Sequence, residues 1–222
     1  MVPLQSFFND PLHLSLGPIP SEFGNMESLQ VLFLHENNLT GQLPSEVGRL
    51  SNLLYFYAYN NSLVGEITTV FGSLEPLLEL SLHNNRLQSS IASELGQLSN
   101  LRLLDLSEND LSGSIPVELS RLSKLQALYL DGNNLTGTVP KEMAWLWLNN
   151  GTTTSSSGAM LADFHIHQNP SLSGTIPEEF CLPHGKPCPR WSSREDGCTI
   201  MFDCTADLCG CDCDCLGGGG TP

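Results

Sequence analysis

LRLLDLSENDLSGSIPVELSRL, residues Leu101–Leu122, is the stretch that decides how the rest of the chain is read. Leu104 and Leu106 alternate as apolar residues do on one face of a short strand, while their neighbours point the other way. Asn109 follows at a turn, where an asparagine side chain can satisfy backbone groups. Gly113 and Pro116 then bend the chain around a corner. The same pattern recurs on either side. Leu29, Leu53, Leu77, Leu101 and Leu125 are spaced 24 residues apart, and Asn37, Asn61, Asn85, Asn109 and Asn133 keep step with them. The apolar–proline step recurs at Leu43-Pro44, Ile115-Pro116 and Val139-Pro140, and the proline is lost at Ile67-Thr68 and Ile91-Ala92.

A sixth copy starts at Leu161, runs through Phe164, Ile166 and Asn169, and closes at Ile176-Pro177 with one extra residue before Leu172. A degenerate copy precedes them all, marked by Gly17, Ile19-Pro20 and Phe23, with a poor strand because Asp10 falls on an apolar position. No single coil can bury its own leucines, but stacked coils share one continuous core. A coiled coil or a βαβ sheet has no reason to hold a fixed 24-residue period. The expected fold is therefore a solenoid. Six strands about 4.8 Å apart would make a sheet roughly 25 Å wide.

Composition narrows the function. The 222 residues carry 24 acids against 9 bases, a formal charge of −15. Such a chain repels polyanions, so nucleic acid is not an expected partner. No run of about 18 apolar residues is present, so no membrane span is expected. The first residues, MVPLQSFFND, show no signal peptide. All eight cysteines lie between Cys181 and Cys215. Three regions follow: a degenerate N-terminal repeat over 1–28, six repeats over 29–180, and a Cys-rich cap and tail over 181–222.

The unit L-x-x-L-x-L-x-x-N-x-L-x-G-x-I-P resembles the plant-type leucine-rich repeat of receptor-like kinases, receptor-like proteins and polygalacturonase inhibitors. The resemblance covers roughly residues 5–180. It implies an α/β solenoid: a curved, right-handed superhelix with a parallel β-sheet on its concave face and a second, short strand at the L-x-G-x-I segment. The scaffold alone implies no ligand. Against the family pattern, the chain shows no signal peptide and no Cys-bearing N-terminal cap, and is read as N-terminally truncated or as carrying a mispredicted gene start. Between Leu146 and Leu161 lies an insertion of 12 residues near 147–160, rich in Gly, Ser and Thr. It reads as an exposed loop, and Trp145 and Trp147 at its base read as packing residues.

In this repeat class the residues flanking the central leucine face solvent on the concave sheet. The first column is then Val31, Tyr55, Glu79, Leu103, Ala127 and Asp163; the second is Phe33, Tyr57, Ser81, Asp105, Tyr129 and His165. The third is His35, Tyr59, His83, Ser107, Asp131 and His167, and beyond it lie Glu36, Asn60, Asn84, Glu108, Gly132 and Gln168. Tyr55, Tyr57 and Tyr59 project from one strand beside Phe33, and exposed aromatics are common anchors of interfaces. All four tyrosines of the chain lie on this face. Glu36, Glu79, Asp105, Glu108, Asp131 and Asp163 add six negative charges with no Lys or Arg in these columns. Related peptide-hormone receptors often grip a ligand carboxylate with an R-x-R pair, which does not occur here. A neutral or basic protein or peptide is the expected partner.

Asp163, His165 and His167, with Asp131 one coil away, carry metal-ligand chemistry. Side chains two apart on a strand stand about 6–7 Å apart, however, and no spacing motif closes a site. No metal and no cofactor are expected. Catalytic signatures such as G-x-S-x-G and H-E-x-x-H are missing, so no enzyme is expected.

Asn38, Asn60, Asn134 and Asn150 head N-x-S/T sequons, about as many as chance provides, and would be glycosylated only in the secretory pathway. FCLPHGKPC, with Cys181 and Cys188, resembles the Cys-paired C-terminal cap of extracellular leucine-rich repeats, which implies a disulfide between them. Cys198, Cys204 and the C-x-C-x-C-x-C run ending at Cys215 could form further disulfides or a thiolate metal site. The even count and the repeat type favour disulfides and an extracellular or cell-surface location. This acidic tail departs from land-plant receptors and is closer to leucine-rich-repeat proteins of algae. The expected function is non-catalytic recognition on the concave face. Inhibition of a wall-degrading hydrolase, a matrix role cross-linked through the tail, and a fragment of a receptor kinase stand as alternatives.

Overall fold

The computed structural model describes residues 6–8, 17–148, 161, 163–173 and 199–201. Cys181, Cys188 and the other cysteines, Asn150, Asp10, Ile176-Pro177 and the insertion from 149 to 160 lie outside the described residues. The expected solenoid and its parallel sheet are present. Strands at Val31–Phe33, Tyr55–Tyr57, Glu79–Ser81, Leu103–Asp105, Ala127–Tyr129 and Asp163–His165 pair in parallel, in chain order.

The sheet is wider than six strands. Ser6–Phe8 joins one edge with Phe7 opposite Leu32, so the first coil is one residue longer than its neighbours. Reading back 24 residues from Leu32 lands on Phe8 instead, which is why Asp10 was assigned an apolar position. Thr199–Met201, from within the Cys-rich tail, joins the other edge beside Asp163–His165. Eight strands span roughly 34 Å.

The second short strand occurs as three separate ladders: Gly17–Pro18 with Leu39–Thr40, Val64–Gly65 with Arg86–Leu87, and Ser112–Ser114 with Asn134–Gly137 and Ser171–Leu172. The opposite side of each coil is a 3-10 helix, as at Ser45–Arg49 and Val117–Arg121. Among the described residues only Trp145–Leu148 is α-helical. A 24-residue coil leaves about five residues for this side, and a 3-10 turn covers more length per residue than an α-turn. Each begins after an extended residue such as Pro44 or Pro116. Neighbouring 3-10 turns sit so close that a Cβ at Gly96 would fall 2.3 Å from the Glu118 carbonyl oxygen.

Inside, Leu32, Leu34, Phe56, Leu80, Leu82, Leu104, Leu106, Leu128, Leu130 and Phe164 are fully buried. In the Leu53 coil Phe56 stacks on Phe71 at 5.8 Å. Ala58 takes the second leucine position of that coil, which offsets the bulk of two phenyl rings. Trp145 is not the packing residue the sequence suggested, since it is 58% exposed at the start of the short α-helix.

A ladder of asparagines ties coil to coil. The Leu63, Leu87, Leu111 and Leu135 N–H groups donate to the Oδ1 of Asn85, Asn109, Asn133 and Asn169, each at 3.0 Å. Each asparagine returns its Nδ2 to carbonyls of its own and the preceding coil; Asn109 reaches Leu82, Leu106 and Ser107. The first three of these bonds span 22 residues and the last spans 34, so the 12-residue insertion leaves the ladder unbroken. The residue before each ladder asparagine has a positive φ: Glu36 58°, Asn60 54°, Asn84 51°, Glu108 52°, Gly132 64° and Gln168 54°. Glycine and asparagine tolerate this left-handed turn, and the others accept strain so that the carboxamide can turn inward.

Asn109 is buried and its carboxamide serves four backbone groups, so Asn109→Ala orphans them. The expected cost is about 2–4 kcal/mol. Asn134→Ala, on an exposed strand, should cost less than about 0.5 kcal/mol. Thermal unfolding of the two variants checks this, and equal losses would contradict it.

Candidate functional site

The concave columns line up because strand pairing is in register. Val31 faces Tyr55, Tyr55 faces Glu79, and Phe33 faces Tyr57 across the sheet. Residues of one column therefore stand a strand spacing apart, close to the distance at which flat rings stack. The Phe33 and Tyr57 rings stack at 4.6 Å with a 3° interplanar angle. In the next column His35, Tyr59 and His83 form a continuous stack at 4.5 and 4.4 Å. Tyr55 meets Tyr57 edge-on at 6.5 Å. The aromatics are half-buried, with their faces largely against one another and their edges toward solvent.

The acids are less free than their number suggests. The Tyr57 hydroxyl donates to Glu79, and the Tyr129 hydroxyl donates to Asp163 at 3.4 Å. His83 Nδ1 lies 2.9 Å from both Asp105 and Ser81 Oγ. Asp105 also accepts from the Ser107 hydroxyl at 2.7 Å and from its N–H at 3.1 Å. His167 Nε2 is 3.8 Å from Asp131. Glu36 and Glu108 remain exposed at the left-handed turns. Ser81, Ser107 and Ala127, assigned to the solvent-facing columns, are in fact covered.

Burial raises the Tyr57 phenol well above its ordinary value, and the hydrogen bond to Glu79 adds to it. Burial and then the Asp163 charge push Tyr129 up to about 12. Burial, with the charge of Glu36, also raises Tyr59. Burial lowers His165, against the pull of Asp131.

The predicted face thus divides into two groups. Phe33, His35, Tyr55, Tyr57, Tyr59, Glu79 and His83 form an aromatic array over the coils from Leu29 to Leu77, and Asp105 links to it through His83. Tyr129, Asp131, Asp163, His165 and His167 form a second cluster at the C-terminal end, where Tyr129 meets the His165 ring at 4.8 Å. Among the sequons Asn38 and Asn134 are exposed, while the Asn60 side chain accepts from Asn84 Nδ2 at 2.8 Å.

A feature that sequence reading missed is a lateral groove of about 660 Å³ at the start of the 3-10 turns, lined in part by Glu66, Thr68, Ala92, Glu94, Val117 and Glu118. The signal for it was present in the two lost prolines, Thr68 and Ala92, where the expected rings are missing from the wall.

Leucine coils, an asparagine ladder and a ring-lined sheet together define a class of repeat scaffold. A family profile described as a leucine-rich repeat region matches residues 12–173, and the chain belongs to this family. Among solved structures it is similar to the leucine-rich-repeat ectodomain of the plant membrane receptor kinase GASSHO1/SCHENGEN3 from Arabidopsis thaliana, in complex with CASPARIAN STRIP INTEGRITY FACTOR 2. That match has 38% identity and a TM-score of 0.66 over 75% of this chain and 18% of the other. It is similar to the plant peptide hormone receptor RGFR1 in complex with RGF2, at 30% identity and a TM-score of 0.66 over 84% and 26%. It also resembles the Arabidopsis receptor kinase HAESA in complex with the peptide hormone IDA and the co-receptor SERK1, at 32% identity and a TM-score of 0.62 over 74% and 26%. The chain spans about a quarter or less of those ectodomains. No curated protein sequence matches it significantly. No helix among the described residues is long and apolar enough to cross a membrane.

Because a raised tyrosine pKa means the folded state holds its proton more tightly, that stabilisation is complete below pH 10.0 and is lost as pH rises through about 12. Spectrophotometric titration of the folded protein should show Tyr129 ionising near pH 12, and Tyr57 above it. Tyr129→Phe should remove the step near pH 12. Ionisation of all four tyrosines together near pH 10 while circular dichroism stays native would contradict the packing described.

Proposed function

We propose that the chain is a non-catalytic recognition module, extracellular or at the cell surface, that holds a neutral or basic protein or peptide on its concave face. The observation that carries this reading is the stacked array of Phe33–Tyr57 and His35–Tyr59–His83, bordered by Glu36 and Glu79. Rings already held by stacking lose little freedom when a partner covers their edges, so binding wastes little ordering entropy. Acidic groups beside them favour partners bearing Lys, Arg or amide donors. The similar peptide hormone receptor RGFR1 was solved with RGF2 and HAESA with the peptide hormone IDA, which supports the same use of the scaffold here.

Selection of random peptides against the immobilised protein tests this. Enriched peptides should be neutral or basic, the basic ones should weaken as salt rises, and all should lose at least about tenfold in affinity to the Tyr57→Ala/Tyr59→Ala variant. Removing these rings breaks three stacked pairs worth about 0.5–1.5 kcal/mol each, so the melting temperature should fall by several degrees as well. Acidic winners, or unchanged binding to the folded double variant, would contradict the proposal.

A further inference from the structure

At the C-terminal end of the concave face, Asp131, His165 and His167 bring one donor atom each within 4.8 Å of one another. The set forms across two coils. Ala127–Tyr129 pairs with Asp163–His165 in register, and the same alignment carries Asp131 alongside His167. Spacing along a single strand argued against closure, and the two histidine rings are indeed 5.9 Å apart. The third donor comes from the neighbouring strand, as the column alignment of Asp131 with His167 suggested, and the structure shows how near it stands.

Two details point to a missing partner. His165 Nε2 and His167 Nδ1 are enclosed and have no hydrogen-bond partner among the described residues. Buried polar atoms are nearly always satisfied, so an orphaned pair in one cluster calls for an occupant. A single ion takes only one nitrogen of His167, and the other ring nitrogen, Nε2, stands 3.8 Å from Asp131 Oδ2, too far for a hydrogen bond, so neither nitrogen is committed to a protein partner. Asp163, by contrast, is engaged by the Tyr129 hydroxyl, and the Tyr129 ring lies edge-on to His165, so these two support the cluster from outside.

We propose that Asp131, His165 and His167 bind a divalent transition-metal ion, with Zn²⁺ the expected occupant. Two imidazoles and one carboxylate are a donor set that Zn²⁺ takes with three protein ligands. Donors around a tetrahedral ion at about 2.0–2.1 Å stand roughly 3.3 Å apart, so side-chain movements on the order of 1 Å close the set. Asp131 and His167 remain partly open to solvent, with side chains 14% and 24% exposed. The remaining coordination position therefore faces the concave surface, where water or a donor atom of a bound partner can complete it.

The cysteines are the competing metal ligands, so the test uses the full chain with its free thiols alkylated. Calorimetric titration near neutral pH should show one Zn²⁺ per chain. Asp131→Asn, His165→Ala and His167→Ala should each weaken binding at least about tenfold, whereas His35→Ala and His83→Ala should leave it unchanged. Co²⁺ should give visible bands of a nitrogen–oxygen site without thiolate charge-transfer absorption. Should a histidine variant unfold, NMR of the wild-type histidine rings decides the matter: Zn²⁺ should shift His165 and His167 and spare His35 and His83. Undetectable Zn²⁺ binding, binding equal in the folded histidine variants, or ring shifts elsewhere would overturn the proposal.

Discussion

One inward-turned carboxamide per coil governs this molecule. Asn85 shows the pattern: its oxygen accepts from the Leu63 N–H of the preceding coil, and its nitrogen donates to the Ala58, Leu82 and His83 carbonyls. Backbone groups that would otherwise be buried unpaired are satisfied by a single side chain. The arrangement works only if each coil presents its asparagine at the same height, after a left-handed residue, above the same leucines. The fixed period, the in-register sheet and the 3-10 turns opposite all follow from that requirement. An insertion survives where it leaves the ladder intact, as the Leu135–Asn169 bond demonstrates.

Register is also what makes the surface. Because coils repeat without slippage from Val31 to Tyr129, side chains of one column stand at stacking distance, and the chain fills these columns with Phe33, Tyr57, His35, Tyr59 and His83. The same alignment places hydroxyl and imidazole donors beside acids of neighbouring strands, as with Tyr57 and Glu79 or His83 and Asp105. The charge of −15 is therefore not spread as a free anionic field over the concave face. Its sheet is a rigid, ring-lined floor with acidic edges at Glu36 and Glu108.

The leucine and asparagine spacing made the solenoid, its six central strands and the solvent-facing columns legible in the sequence, because these positions obey a period. What escaped reading does not repeat. Ser6–Phe8 joins the sheet one residue out of step, and Thr199–Met201 has no repeat pattern around it. Trp145 was read as a packing residue and is exposed. The left-handed column holds Glu, Asn, Gly and Gln, of which only Asn and Gly advertise their conformation. Side-chain partners were also hidden, since whether Tyr57 projects or stacks depends on rotamers and on the neighbouring coil. That Asp131 lies one coil from His165 and His167 was legible despite the insertion; that their donor atoms come within 4.8 Å of one another was not, because it depends on rotamers.

Hydrogen–deuterium exchange with a bound, selected peptide tests the central claim, that the concave sheet is the recognition surface. Added protection should fall on segments containing Val31–Glu36, Tyr55–Asn60 and Glu79–Asn84, and leave the lateral groove around Thr68, Ala92 and Val117 unchanged. Protection confined to that groove, with exchange from the concave strands unaltered, would contradict the account.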